Sequence, residues 1–233
     1  MRPLTGRPAR IVVLTGAGLS AESGLATFRD SGGLWERHRI EDVATPEAFA
    51  RDPDLVLRFY DMRRAAAADS RPNPAHLALA RLSRQPGVTL ITQNVDALLD
   101  AAGAQDVIHM HGRLDRALCA ACGHRWAAPA VMPRGLPCPE CGRPAARPDI
   151  VWFGEMPYHM DRIEAALDEA ELFAAIGTSG NVYPAAGFVD LAREMGAATV
   201  ELNLAPTAPA RFDRHIDGPA SRSVPAWVDS LTR

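Results

Sequence analysis

The chain contains no lysine. All 25 of its basic residues are arginine, set against 28 acidic ones for a formal net charge of −3. Nucleic-acid binders carry a basic patch or stripe, and here neither the net charge nor any block of like charge supplies one. With the many alanines and prolines, arginine in place of lysine points to a G+C-rich coding sequence rather than to a function. Long apolar runs are missing as well: none approaches the roughly 20 residues that span a bilayer. Met1 to Arg10 holds two prolines and no apolar core, so it does not read as a signal peptide. Apart from Ala65 to Ala68, repeats and low-complexity tracts are absent. The expectation is a cytoplasmic protein with no direct nucleic-acid partner and no membrane association. With 47% hydrophobic residues in 233, it can bury a core in one large domain or in a large domain carrying a smaller one.

The apolar run Ile11-Val12-Val13-Leu14 reads as a buried parallel strand. It leads into Thr15-Gly16-Ala17-Gly18-Leu19-Ser20-Ala21, a Gly-x-Gly-x-x-Ala turn opening a helix. Unpaired N–H groups at such a turn, with the positive end of a helix dipole, cradle a dinucleotide pyrophosphate. The alternative is a tight turn with no ligand. In a dehydrogenase an acidic residue for the adenosine ribose follows roughly 20 residues on, at the end of a second strand. Glu36, Glu41 and Asp42 fall near that distance, but no strand-like run precedes them. The aromatic-basic pair Phe28-Arg29 also departs from the dehydrogenase plan.

Four cysteines form two pairs, Cys119-x2-Cys122 and Cys138-x2-Cys141, with 15 residues between the pairs. This is zinc-ribbon spacing. Four thiolates fill a tetrahedral shell and leave no position for substrate, so the Zn2+ is expected to be structural. Two disulfides are the rival reading, disfavoured in a reducing cytoplasm. Gly123 and Gly142 each follow a pair, where a knuckle needs backbone freedom. The surrounding prolines leave the ribbon little core of its own, so zinc supplies much of its folding free energy.

Strand-like runs recur at 11–14, 88–92, 107–110, 172–176 and 199–202, with helical patterns at 95–102, 161–171 and 184–195. This alternation predicts an α/β fold, a Rossmann-like parallel sheet with helices on both faces. Residues 31–73, helical and Arg-rich, and 116–148, the ribbon, read as insertions forming a smaller lobe. The large lobe is then 1–30, 74–115 and 149–233, with the binding crevice between the two. Thr92-Gln93-Asn94-Val95-Asp96, His109-Met110-His111-Gly112 and Gly177-Thr178-Ser179 each end a strand on the ligand side of such a sheet.

Taken together, these segments resemble the sirtuins, NAD-dependent protein lysine deacylases. The matches are GAGLSAESGLATFR from Gly16, TQNVD from Thr92, His111-Gly112, the cysteine pairs, RPDIVWFGE from Arg147, GTSGNVYPAA from Gly177 and VELN from Val200. They stand in family order and span about residues 10–225. The resemblance implies that NAD is held by Gly16, Ala17, Gly18, Ser20, Ala21, Glu22, Phe28, Arg29 and Trp35 at its diphosphate and ribose. It puts Gln93, Asn94, Val95 and Asp96 on the nicotinamide side, and Gly177, Thr178 and Ser179 at the far ribose. Asn203, Leu204 and Ala205 then take the adenosine end, and Ala220 closes the adenine pocket. Val151, Phe153 and Gly154 would pair with the acylated peptide as an added strand. His111 is the implied general base on the ribose hydroxyls, and Asn94 and Asp96 position the ribose and the nicotinamide amide. His109 is the competitor for the role of base. Products would be free lysine, nicotinamide and an O-acyl-ADP-ribose.

A finer signal concerns the acyl group. Asp52-Pro53 is a good helix start, and on that helix Tyr60 and Arg63 lie at i and i+3, on one face. A phenol and a guanidinium can clamp a carboxylate. The pair matches the Tyr-x-x-Arg of class III sirtuins, which remove succinyl and malonyl groups, and Ala44 matches the small residue of their acyl pocket. The alternative is a solvated helix with Arg63 free or paired to Asp61. A plain deacetylase, an ADP-ribosyltransferase, a hydride-transferring dehydrogenase and a zinc-ribbon binding module are the remaining rivals.

Overall fold

The computed structural model describes residues 8–25 and 38–231. Its strands are β1 (Ile11–Thr15), β2 (Val88–Thr92), β3 (Ile108–His109), β4 (Gly112–Cys119), β5 (Arg125–Ala127), β6 (Ala146–Ile150), β7 (Leu172–Ile176), β8 (Ala198–Asn203) and β9 (Arg214–Asp217). Six form one parallel sheet in the order β3-β2-β1-β7-β8-β9, and β5-β4-β6 form a separate antiparallel sheet. The helices are α1 (Ile40–Val43), α2 (Pro46–Arg51), α3 (Pro53–Asp69), α4 (Pro74–Leu82), α5 (Leu98–Ala101), α6 (Met160–Asp168), α7 (Phe188–Glu194) and α8 (Ala220–Leu231).

Side chains alternate across β1, and both faces are covered, so its apolar run needs no polar positions. Ile11 and Val13 join Leu79, Leu82, Trp227 and Val228 of α4 and α8 on one face. Val12 and Leu14 join Ile163, Leu167, Val189 and Ala192 of α6 and α7 on the other. Strand order reverses at β1, with β2 on one side and β7 on the other. Ligands settle at such a switch point, outside the carboxyl ends of the strands.

The smaller clusters sit beside this sheet. Val43, Ala44, Phe59, Tyr60, Leu114, Ile150 and Trp152 pack together, joining α1 and α3 to β4 and β6. Asp52 caps α3 by accepting from the Leu55 N–H at 2.9 Å, with Pro53 as first helical residue, as the sequence suggests. Arginine makes several ion pairs among the described residues, including Arg64–Asp61, Arg125–Asp149 and Arg147–Glu155. No helix among the described residues is long and apolar enough to cross a membrane.

Three local expectations change. The helix expected after the glycine turn is replaced by two three-residue 3₁₀ turns, Ala17–Leu19 and Ala21–Ser23. The turn is tied to β7 instead, by Gly16 N–H to the Ile176 carbonyl (2.9 Å) and Gly18 N–H to the Gly177 carbonyl (2.8 Å). Left-handed Gly24 then ends the second turn. The helix expected over 95–102 shortens to α5, because Asn94 and Asp96 spend their side chains on local backbone and loop contacts. The helix expected over 184–195 starts as a 3₁₀ turn, Ala185–Gly187, before α7.

Candidate functional site

The carboxyl ends of β1, β2, β7 and β8 are laced together by short polar contacts. Thr15 and Thr92, paired in register, bond through their hydroxyls at 2.8 Å. The Gln93 amide nitrogen donates to Thr178 Oγ1 at 3.0 Å, and the Asn203 amide to the Thr178 carbonyl at 2.8 Å. Gly16, Gly18 and Gly177 interlock backbone to backbone. A Cβ on Gly177, already at φ +61°, would fall 2.5 Å from the Leu19 nitrogen. Close approach of the two loops explains these glycines, since a side chain at any of them would meet the backbone of the other loop.

Ser20 is the hub behind these loops. Its buried hydroxyl donates to Asp96 Oδ2 (3.0 Å) and accepts from the Asn94 amide (3.2 Å). His76 Nε2 stands 3.3 Å from the same oxygen. The Asn73 N–H donates to His76 Nδ1 at 3.2 Å, so Nε2 carries the proton and gives it to Ser20. One donor and two acceptor sites are thereby filled, all that a hydroxyl has. Burial raises Asp96 above the usual carboxylate range, opposed by the Leu98 N–H, Ser20, and the charges of His109 and Arg63.

His76 and Asn73 went unmarked in the sequence, 56 residues from Ser20 in the first case. The available signal was Asn73-Pro74-Ala75-His76, a capping box at the start of α4 with both halves formed. Burial drives His76 down to about 4. Its folded value is depressed, so the unfolded chain binds the proton first, and stability falls as pH drops from about 6.5 toward 4, by about 3 kcal/mol. Urea midpoints at pH 7 and 4.5 should show that slope. His76→Gln should lose most of it, and an equal slope in both proteins would assign the acid sensitivity elsewhere.

His111 follows β3, with its Nδ1 3.1 Å from the Gln93 carbonyl. A carbonyl only accepts, so Nδ1 carries the proton and Nε2 keeps its lone pair. Burial lowers its pKa below the ordinary histidine value, partly offset by that hydrogen bond. Gly112 beside it has φ +82°, and a Cβ there would lie 2.0 Å from the Asp149 carbonyl oxygen. This is why glycine follows the histidine. His109 is occupied elsewhere: its Nε2 lies 2.9 Å from Asp100 Oδ2, and that carboxylate also takes Arg113 at 2.7 Å.

The remaining expected residues lie as follows. Ala17, Ala21 and Ser179 are partly exposed on the two glycine loops, and Val95 packs against the Tyr60 cluster. Glu22 is exposed and accepts from the Ser221 N–H and hydroxyl at the start of α8, next to Ala220; these bonds lower its pKa. Leu204 and Ala205 are exposed beyond β8. Phe28, Arg29 and Trp35 lie outside the described residues.

Tyr60 is buried, and its hydroxyl oxygen accepts from the Trp152 indole N–H at 3.0 Å. Burial pushes its pKa up to about 12, so it stays protonated. Arg63 is half-buried, its guanidinium 6.0 Å from the Tyr60 ring centre and 5.8 Å from that of Phe59. Asp61 pairs with Arg64 at 2.6 Å, so that carboxylate is engaged by the neighbouring arginine. Ala44 is buried beside Tyr60, and its carbonyl accepts from the Phe153 N–H at 2.9 Å. The Val151 N–H donates to the His111 carbonyl at 3.0 Å, while Phe153 and Gly154 are exposed.

Cys119, Cys122, Cys138 and Cys141 bring their sulfurs within 4.8 Å of one another. Two pairs, Cys119–Cys141 and Cys122–Cys138, are 3.7 Å apart, and all four are free thiols. A tetrahedral Zn–S shell with bonds near 2.3 Å has a sulfur–sulfur edge of about 3.8 Å. The four residues therefore fit one zinc ion and leave no open ligand position. Gly123 (φ +76°) and Gly142 (φ +71°) occupy the left-handed region that such knuckles demand.

The chain is also similar to known proteins along nearly its whole length. The Sir2 family model matches residues 16–184. An NAD-dependent protein deacylase of Bdellovibrio bacteriovorus is 57% identical over 225 residues, covering 94% of each chain. A Sir2 homologue solved with NAD superposes with a TM-score of 0.87 at 38% identity, over 97% of this chain and 90% of that one. Sir2Af2, solved with a myristoylated histone peptide, gives a TM-score of 0.74 at 29% identity, over 97% of this chain and 92% of the other.

Proposed function

The chain belongs to the Sir2 family, and we propose that it removes acyl groups from protein lysine side chains in an NAD-dependent reaction that yields nicotinamide and an O-acyl-ADP-ribose. The observation that carries this reading is the meeting of Ser20, Gln93, Asn94 and Asp96 at the sheet's switch point, with His111 held against Gln93. Bound NAD would supply a ribose carbon from which nicotinamide departs, open to attack by the acyl oxygen.

The chain's own residues would do the rest. Gly16 to Ala21 and Gly177 to Ser179 would border the diphosphate and riboses, their glycines letting the ligand approach the main chain. Asn203 to Ala205 and Ala220 would take the adenosine end. Asn94 and Asp96, fixed through Ser20, would orient the nicotinamide side. His111 would use the free Nε2 lone pair to take a proton from a ribose hydroxyl. Zinc on the four cysteines would hold the ribbon and take no part in the chemistry. Residues 31–73 and 116–148 would form the small lobe, facing the large one across the crevice. Val151, Phe153 and Gly154 would receive the substrate peptide as an added strand. Four cysteines gathered as zinc ligands rather than joined as disulfides suit a reducing, cytoplasmic compartment.

For the acyl group the favoured substrates are succinyl- and malonyl-lysine, with acetyl-lysine also accepted. Buried Tyr60 and half-buried Arg63 share one face of α3, and a carboxylate entering there needs both a donor and a counter-charge. Arg63→Met should lower kcat/KM for desuccinylation by roughly 10- to 100-fold, the worth of a charge-assisted hydrogen bond, and cost deacetylation far less. Matched acetyl- and succinyl-lysine peptides, assayed by NAD-dependent nicotinamide release, test both levels. Without nicotinamide release the deacylase assignment fails, and equal losses in Arg63→Met count against the clamp alone.

A further inference from the structure

A tyrosine hydroxyl can donate one hydrogen bond and accept others, and which of these faces a ligand depends on its neighbours. Among the described residues the Tyr60 hydroxyl makes one hydrogen bond, with the Trp152 indole nitrogen at 3.0 Å. An indole N–H only donates, so the phenolic oxygen must accept and its own hydrogen is left to point elsewhere. Building on the carboxylate clamp proposed above, we infer that Trp152 is a positioning residue for acyl selectivity, committing the Tyr60 hydroxyl to donate toward an acyl carboxylate.

The indole is held for this task on several sides. The Arg147 guanidinium lies 3.6 Å from the centre of its ring, a close cation–π contact. Arg147 is anchored in turn by both oxygens of Glu155, at 2.7 and 2.9 Å, and by the Ile150 carbonyl at 2.7 Å. Glu155 Oε2 closes the loop by accepting the Trp152 backbone N–H at 2.8 Å. Phe49 packs on the indole with ring centres 5.2 Å apart. Buried on its own account, the side chain has little freedom to release Tyr60. Succinyl and malonyl groups end in a carboxylate that uses the donated proton, whereas an acetyl group offers no such acceptor.

The test removes the N–H and keeps the shape. Trp152→3-benzothienylalanine replaces the indole nitrogen by sulfur at nearly constant volume, and Trp152→Phe is the simpler companion. Both should lower the ratio of desuccinylation to deacetylation kcat/KM by about three- to ten-fold, the worth of one neutral hydrogen bond. In a Tyr60→Phe background neither should lower that ratio further, because the hydroxyl they orient is gone. An unchanged ratio in the isostere, or an additive loss on Tyr60→Phe, overturns the inference. Arg63→Met, run alongside, keeps the outcomes apart. If it is selective while the isostere is not, the clamp stands without Trp152. If it costs both substrates equally, the clamp reading itself fails.

Discussion

His111→Ala should lower turnover by roughly 10²- to 10⁴-fold, the usual contribution of a positioned general base, while the protein stays folded. The expected stability cost is small. The side chain is only partly buried, and its bond is one 3.1 Å contact with a main-chain carbonyl, worth about 1 kcal/mol. His109→Ala should show the reverse pattern, since that ring is buried and bonded to Asp100. Stability should drop with activity largely retained. Thermal melts and nicotinamide release on both variants decide between them, and an inactive His109→Ala beside an active His111→Ala would reverse the assignment.

The same residue predicts a pH profile. Burial lowers the His111 pKa, so the neutral form that can accept a proton persists into more acidic solution than for a free histidine. The acid limb of kcat/KM should therefore have its midpoint below about 6.5. A midpoint above that value would mean that another group, or a differently placed imidazole, governs the step.

Cys138→Ser should have the largest effect on stability. Structural zinc contributes about 10–16 kcal/mol in zinc-finger peptides, and the ribbon has little to replace it. The apolar cluster under it consists of Leu57, Ala117 and Met132, with a few partly buried neighbours. Wild-type protein should hold one zinc per chain by atomic absorption. The variant should lose it, become protease-sensitive across about residues 119–145, and melt at a markedly lower temperature. The damage should reach the crevice. Arg125 of β5 bonds Asp149 of β6 at 3.1 Å, and Tyr158 bonds the same carboxylate at 2.9 Å, two residues before the segment assigned to peptide. Full stability and activity in the metal-free variant would refute a structural role for zinc.

How far the sequence spoke for the molecule depended on the range of the forces involved. Ile11 to Leu14 was readable as a strand because burial on both faces leaves an unbroken apolar run. The start of α3 and the cysteine knuckles were readable because a cap or a knuckle is settled within four residues. The shape of the glycine turn is not legible locally. What replaces the expected helix is contact with Gly177, some 160 residues on, and no local pattern carries that. The capping box of Asn73 and His76 is a local signal, but its link to Ser20 is not, since only the folded sheet brings α4 behind that residue. On α3, spacing alone could not say which arginine would take Asp61, and packing of Arg64 against the Leu114 carbonyl at 2.7 Å decides it.

Ion pairs among the described residues are built on guanidinium groups, as in Arg64–Asp61, Arg125–Asp149 and Arg147–Glu155, and no side chain of the sequence ends in a primary amine. Reactive acyl donors modify amines, while a guanidinium that stays charged above pH 12 resists them. Conditions that load other proteins with acyl-lysine would thus leave these contacts intact. A catalyst of this composition cannot become its own substrate through a lysine, and its fold keeps its charge as the modification it reverses accumulates around it.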